Sequence, residues 1–207
     1  YGSENAGTDW YGRLRAEEVT VTAQGVVEFT ELWEASDLLP VAATRRILFG
    51  RPSTTVNPTV STFFQANVGA LSNICGGTLS RCNASEITAL GVSAAQAIEY
   101  LRGDQSLEGT KLRTRTTRLG DIVNSSPVIS TPTDNYGYRN LVGPTAGVYD
   151  PYNYAGYLTT KAVRRPMVYA GANDGMLHAF DGETGAETFA YIPSTVLGHM
   201  GNLLFPY

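Results

Sequence analysis

The chain has 207 residues, 43% of them hydrophobic, enough for one large domain or two small ones. Only 16% are charged and the net charge is −4, which gives no reason to expect nucleic acid, whose phosphates demand a basic stripe. No run approaches the ~20 apolar residues of a membrane helix, so membrane insertion is not expected. The many Gly, Tyr and Thr residues favour turns and polar-faced sheet, and an extracytoplasmic setting.

From the amino terminus, Thr20 to Thr30 alternates as two strands around a turn at Gln24-Gly25, and Trp33-Glu34-Ala35 ends the outer one. Ala43 to Phe49 opens the next strand, before a Pro-rich connector over Arg51–Pro58. From Val60 the spacing turns helical, with Phe63, Phe64, Val68 and Leu71 on one side. Short helices follow over 85–90 and 93–101, with Ser93 as N-cap and Gly103 as stop.

Cys75 and Cys82 stand too far apart for a redox Cys-x-x-Cys pair, and no suitably spaced His offers zinc a site. A small loop disulfide is the plainer reading, free thiols the other. Arg102-Gly103-Asp104 is a tripeptide that integrins read on exposed loops, hence a candidate adhesive site. The plainer account is a helix end with Gly103 at C′ and Asp104 beginning a turn.

From Thr114 the pattern returns to strand, and Leu119 to Ile129 reads as a turn-flanked strand pair in which Gly120 turns the chain and Asp121, Asn124 and Ser125 bond neighbouring turns. A loop over 135–157 carries Tyr136, Tyr138, Tyr149, Tyr152, Tyr154 and Tyr157 among Gly, Asn and Pro. It reads either as a lid on its own blade or as amphipathic contact area for a partner.

Pro166 to Ser194 is the most ordered pattern in the chain. Apolar runs at Met167–Gly171, Met176–Phe180 and Thr188–Ile192 are joined by Asn173-Asp174-Gly175 and Asp181-Gly182-Glu183-Thr184-Gly185, residue types that tolerate positive φ or bond local amides. Three strands with two tight turns form a meander of the size of a propeller blade. Ala179-x-Asp181-x-x-Thr184-Gly185-x-x-x-Phe189 resembles the tryptophan-docking blade of quinoprotein-like propellers, with Phe189 where Trp usually stands. The resemblance implies packing roles: Ala179 lets sheets approach, Asp181 and Thr184 bond turn amides, and the aromatic wedges between blades. Tyr11-Gly12-Arg13-Leu14-Arg15-Ala16 echoes Asp174–Ala179 at the Gly, Leu and Ala positions, a sign of repeat architecture.

Trp10–Leu14, Tyr100–Asp104, Leu119–Val128 and Pro166–Asp181 together resemble, in order, signature blocks of the PilY/PilC family in its carboxyl-terminal propeller domain. The fold expected is an all-β, quinoprotein-like β-propeller, present in part, with a small α-helical insertion: first blade strands in 1–56, the insertion with its cysteine loop in 57–113, and further blade material in 114–207. A propeller cannot stop after two or three blades without unpaired flanks, so the chain is expected to be a piece of a longer one.

The resemblance implies a non-enzymatic assembly and tip protein of the type IV pilus, at the cell surface, which promotes fibre extension, twitching motility and adhesion to host cells or other surfaces. Minor pilins and the tip complex are the partners it implies. Family members also carry acidic calcium loops of alternating carboxylates, so calcium is expected for a full-length member. This chain lacks that spacing, and no cofactor is expected within it. The rival reading is a quinoprotein dehydrogenase, which would need several copies of the 179–189 pattern, quinone and calcium ligands and, in many members, adjacent cysteines. His178 and His199 are the only histidines, and neither has a Ser or Cys at triad spacing, so no catalytic or metal residue is assigned.

Overall fold

Period-two alternation and Gly-containing turns make this a strand-rich chain. The computed structural model describes residues 2–6, 9–51, 59–78, 80–135 and 154–205. Strands β1 (Gly2–Ala6) and β2 (Asp9–Arg13) pair antiparallel, as do β3 (Arg15–Val21) and β4 (Val27–Glu34), whose turn places Gly25 at φ +79°. A six-stranded sheet contains β5 (Ile47–Gly50), β6 (Val60–Thr62), β7 (Val128–Ser130), β8 (Met167–Gly171), β9 (Leu177–Asp181) and β10 (Glu187–Ile192), in the order β6-β5-β10-β9-β8-β7. Strands β7 to β10 form a consecutive antiparallel meander. Strand β5 adds to β10 in parallel, with Ala190 opposite Ile47, and β6 closes that side antiparallel to β5.

Helices α1 (Ala35–Leu38), α2 (Gln65–Val68), α3 (Ser72–Cys75), α4 (Ala84–Ala89), α5 (Ala94–Arg102), α6 (Tyr154–Lys161) and α7 (Ser194–Leu197) fill the connections, and a 3-10 turn spans Met200–Leu204. α5 starts at a capping box: the Gln96 amide donates to Ser93 Oγ and the Ser93 amide to the Gln96 side chain. It ends at Gly103, left-handed at φ +113°.

Two apolar clusters hold these elements. Ile47 and Phe49 of β5 and Ala190 and Ile192 of β10 pack with Ile74, Ile87 and Ile98 of the helices. Val168 and Ala170 of β8 and Phe180 of β9 pack with Leu14, Trp33, Leu119 and Ile122. Each buried Leu or Ile contributes roughly 1.5–3 kcal/mol.

The echo between the two ends of the chain has a structural counterpart. In β3–β4, Ala16 opposes Trp33 and Glu17 then opposes Glu31; in β9–β10, Ala179 opposes Phe189 and Phe180 then opposes Glu187. Both hairpins thus place a bulge one residue before the aromatic, at Leu32 and Thr188, which increases local twist at equivalent points.

Several local expectations need correction. Val60–Thr62 is a strand, because β5 offers it an open edge. Phe64 does not share the buried side of Phe63 and Val68; it stays 39% exposed, with the Arg102 guanidinium 3.9 Å from its ring centroid. No strand forms over 114–127, since backbone groups there bond other segments: Leu119 O accepts from Gly12 N and Asp121 O from Asn173 N. The Tyr-rich stretch becomes helical from Tyr154, while 136–153, like most of the 51–58 connector, lies outside the described residues.

Candidate functional site

The β8–β9 turn is set by local chemistry. Gly175 takes φ +82°, its amide donates to Ala172 O, and the Met176 amide donates to Asp174 Oδ1. With the turn fixed, Asp174 reaches in two directions. Its carboxylate accepts the Gly120 amide at 3.2 Å and lies 3.0 Å from His178 Nε2. Beside it, Asn173 Nδ2 donates to Asp121 Oδ2 at 2.8 Å, and Ser125 Oγ accepts the Gly171 amide. A Cβ on Gly12 would come within 2.2 Å of Gly120 O, and one on Gly120 within 2.4 Å of Asp174 N, so three chain segments stack here through two glycines. Gly120, Asp121, Asp174 and Gly175 therefore meet, whereas Asn124 lies exposed on a bend.

The fully buried His178 ring joins this turn to the rest of the sheet. Nδ1 lies 2.8 Å from Glu187 Oε1 on β10, and Arg45 grips the same carboxylate in a bidentate pair through Nε at 2.8 Å and Nη2 at 2.7 Å. Arg45 Nη1 donates onward to the carbonyl of Arg102. Burial alone would lower the His178 pKa, but Asp174 and Glu187 at the two ring nitrogens outweigh it and raise the value to about 9. Burial likewise opposes ionisation of Asp174 and Glu187, yet His178 on the first and Arg45 with His178 on the second hold both carboxyls below their usual range. Two cations and two anions make the lattice neutral. An imidazolium donating both N–H groups keeps no lone pair to accept a proton, so near neutral pH His178 ties elements together and is no general base.

The second turn carries the packing. Asp181 Oδ1 accepts the amides of Glu183 and Thr184, Arg165 pairs with Oδ2 at 2.9 Å, and Thr184 Oγ1 accepts the Ala186 amide. Trp33 from β4 seats on this turn: its indole N–H donates to Gly182 O at 3.2 Å, and a Cβ on Gly185, whose φ is +73°, would approach the ring to 2.7 Å. Ala179, fully buried, stands opposite Phe189.

Arg102 of the candidate adhesive tripeptide is fully buried. It donates to the carbonyls of Phe63, Ala42 and Arg45 and pairs with Glu99, so the guanidinium an integrin would have to reach points into the fold. That overturns the adhesive expectation for 102–104; these residues form the α5 terminus. Cys75 and Cys82 are joined as a disulfide whose loop packs on the 3-10 turn, where a Cβ on Gly201 would fall 2.3 Å from the Cys82 sulfur.

Sequence reasoning missed Arg45, Glu187 and the burial of Arg102. Their trace is a charged residue inside or beside a strand-forming run, Arg45 before Ile47–Gly50 and Glu187 opening β10. A cavity of about 30 Å³ beside the lattice, between Tyr100, Arg115, Arg118 and Asp174, has room for about one water, far below the ~300 Å³ of a small-molecule site. Asp121, Asp174 and Asp181 each accept from nitrogen donors, and no group of three or more His, Cys, Asp or Glu side chains placed to hold a metal ion occurs among the described residues.

A family model described as the PilY1 beta-propeller domain matches residues 119–200, the span that holds both interlocked turns. Over its whole length the chain is 32% identical to a type IV pilus biogenesis factor PilY1 homolog of Xylella fastidiosa, of which it covers 15%. A second such homolog from that organism is 47% identical over 53% of the chain, with 9% of the relative covered. Type IV pilus biogenesis factor PilY1 of Pseudomonas aeruginosa strain UCBPP-PA14 is 33% identical over 94% of the chain, with 16% covered. The chain thus spans under a fifth of the length of these curated relatives. No solved structure matches it. No helix among the described residues is long and apolar enough to cross a membrane.

Proposed function

Because the chain belongs to the PilY1 family of type IV pilus biogenesis factors, we propose that it is a non-enzymatic interaction module of such a factor, working outside the cytoplasm at the pilus tip. In this reading it is part of a quinoprotein-like propeller with a helical insertion over 57–113. The observation that carries it is the seat of Trp33 on the Asp181–Gly185 turn. In this reading one aromatic bonded to the Gly182 carbonyl and stacked on Gly185 locks adjacent blades, and Phe189 holds the equivalent position in its own hairpin. The histidine that could have served catalysis is tied up in the buried lattice, which leaves the outer surface to carry the biology.

Minor pilins are the partners, and the outcomes are fibre extension, twitching motility and adhesion to cells or surfaces. The test is complementation of a piliated bacterium lacking its own PilY1 relative, using the full-length protein that carries this chain. Surface pilin and twitching zones should be restored by the intact protein and lost when 1–207 is deleted. Unchanged pilus number after the deletion would refute the assembly role. Alcohol-dependent dye reduction by the purified protein with quinone and calcium would refute the non-enzymatic one.

A further inference from the structure

The loop closed by Cys75–Cys82 serves as the seat for the segment that follows α7. Gly77 donates its amide to Gly198 O at 3.0 Å, and Ser80 Oγ donates to Asn202 Oδ1 at 3.1 Å. Between these bonds the two backbones lie so close that a Cβ on Gly198 would come within 2.6 Å of the Gly77 nitrogen. Gly201 rests on the disulfide itself. A Cβ there would fall 2.5 Å from the Cys75 sulfur and nearer still to that of Cys82.

The other side of the same segment faces the core. Met200 and Leu204 are 1% and 0% exposed and belong to the cluster that holds Ile74 and Ile98. Leu204 O accepts the Arg113 amide at 3.0 Å, Leu203 O accepts the Tyr100 hydroxyl at 3.4 Å, and Met200 covers Gly175 in the β8–β9 turn. The 3-10 turn is therefore wedged between the cysteine loop and the core.

We propose that this loop is a redox-dependent clasp: residues 198–204 seat only when Cys75 and Cys82 are bonded, so the oxidation that makes the bond completes this side of the fold. Two effects act together. Unbonded sulfurs must stand at van der Waals separation, and the Gly201 backbone already fills the space beside both. Without the bond, Gly76-Gly77 leaves the loop many conformations, and the Gly77 amide and Ser80 hydroxyl are no longer held opposite Gly198 and Asn202. A reduced chain thus keeps Met200 and Leu204 out of the core. The oxidant is a disulfide, carried by a thiol oxidoreductase or a small molecule. One cysteine thiolate attacks its S–S bond to give a mixed disulfide, the second cysteine displaces the oxidant's remaining sulfur, and two electrons and two protons end on the oxidant as a pair of thiols. The inference stands apart from the pilus reading, because it follows from the loop and its seat alone.

The test is amide hydrogen exchange, read by mass spectrometry, on the full-length protein that carries this chain, refolded either with oxidised glutathione or with excess dithiothreitol. Peptides covering 198–205 should exchange faster by about tenfold or more in the reduced protein, while those of β8 and β9 change by less than about twofold. Cys75→Ser with Cys82→Ser, refolded in oxidant, should show the same local loss and so assign it to this bond. Gly201→Ala keeps both cysteines but sets a methyl group against the sulfurs, and should open the same segment in the oxidised protein. Should a variant fail to fold, the unaltered protein in its two redox states decides. Acceleration spread evenly over the chain, which a staple acting only on the unfolded state produces, would overturn the proposal. So would equal exchange in the two redox states, or a protected 198–205 in the folded double serine variant.

Discussion

The His178 lattice makes stability fall with rising pH in a defined window. The imidazole has a pKa near 6.5 in the unfolded chain and about 9 in the fold. A raised value means that the folded state holds a proton the unfolded state has released, so between these limits the unfolding free energy drops by about 1.4 kcal/mol per pH unit. The contribution is complete below about 6.5 and gone above about 9. The difference amounts to roughly 3 kcal/mol, a large share of the 5–15 kcal/mol typical of a domain. Urea unfolding at pH 6, 7.5 and 9.5 should show this decline, and a His178→Gln variant, weaker by roughly 3–5 kcal/mol at pH 6, should lack most of the slope. Imidazole NMR shifts offer a check independent of the variant, since the ring should remain protonated at pH 8. Parallel pH profiles for the two proteins, or a ring that titrates near 6.5, would refute the reasoning.

Three further outcomes follow from packing. Gly185→Ala should cost about 1–3 kcal/mol, because its Cβ meets Trp33 at 2.7 Å and its φ is +73°, and indole fluorescence should shift with it. Reducing the Cys75–Cys82 disulfide should lower stability by about 2–3 kcal/mol in the chain-entropy model, measured as a melting shift with and without reductant, while far-UV circular dichroism changes little. Ser93→Ala should remove the capping box and cost about 1 kcal/mol by denaturant titration.

Legibility in the sequence tracked the reach of each interaction. Ser93 and Gly103 announce the ends of α5 because their partners lie within four residues. The Asp181 turn and the Asn173-Asp174-Gly175 turn were readable for the same reason, as was a bond between cysteines seven apart. The stretch 119–127 misled, because alternating apolar residues there serve a non-strand segment whose backbone is bonded to Gly12, Asn173 and Asp174. Arg102 misled more deeply. A guanidinium at a helix end looks solvent-facing until three distant carbonyls line up to receive it.

The sequence by itself determined the strand-and-turn units at 9–35 and 166–194, the short helices within 84–102 and the family resemblance, all carried by residue types and spacings that act locally. Tertiary structure alone decided that β5 would lie parallel to β10, that Arg45 would find Glu187 across 142 positions, and that Trp33 would rest on Gly185. Charge burial and sheet docking depend on which desolvated groups meet once the chain has closed. No local pattern encodes that meeting, because its free energy belongs to the pair and not to either residue.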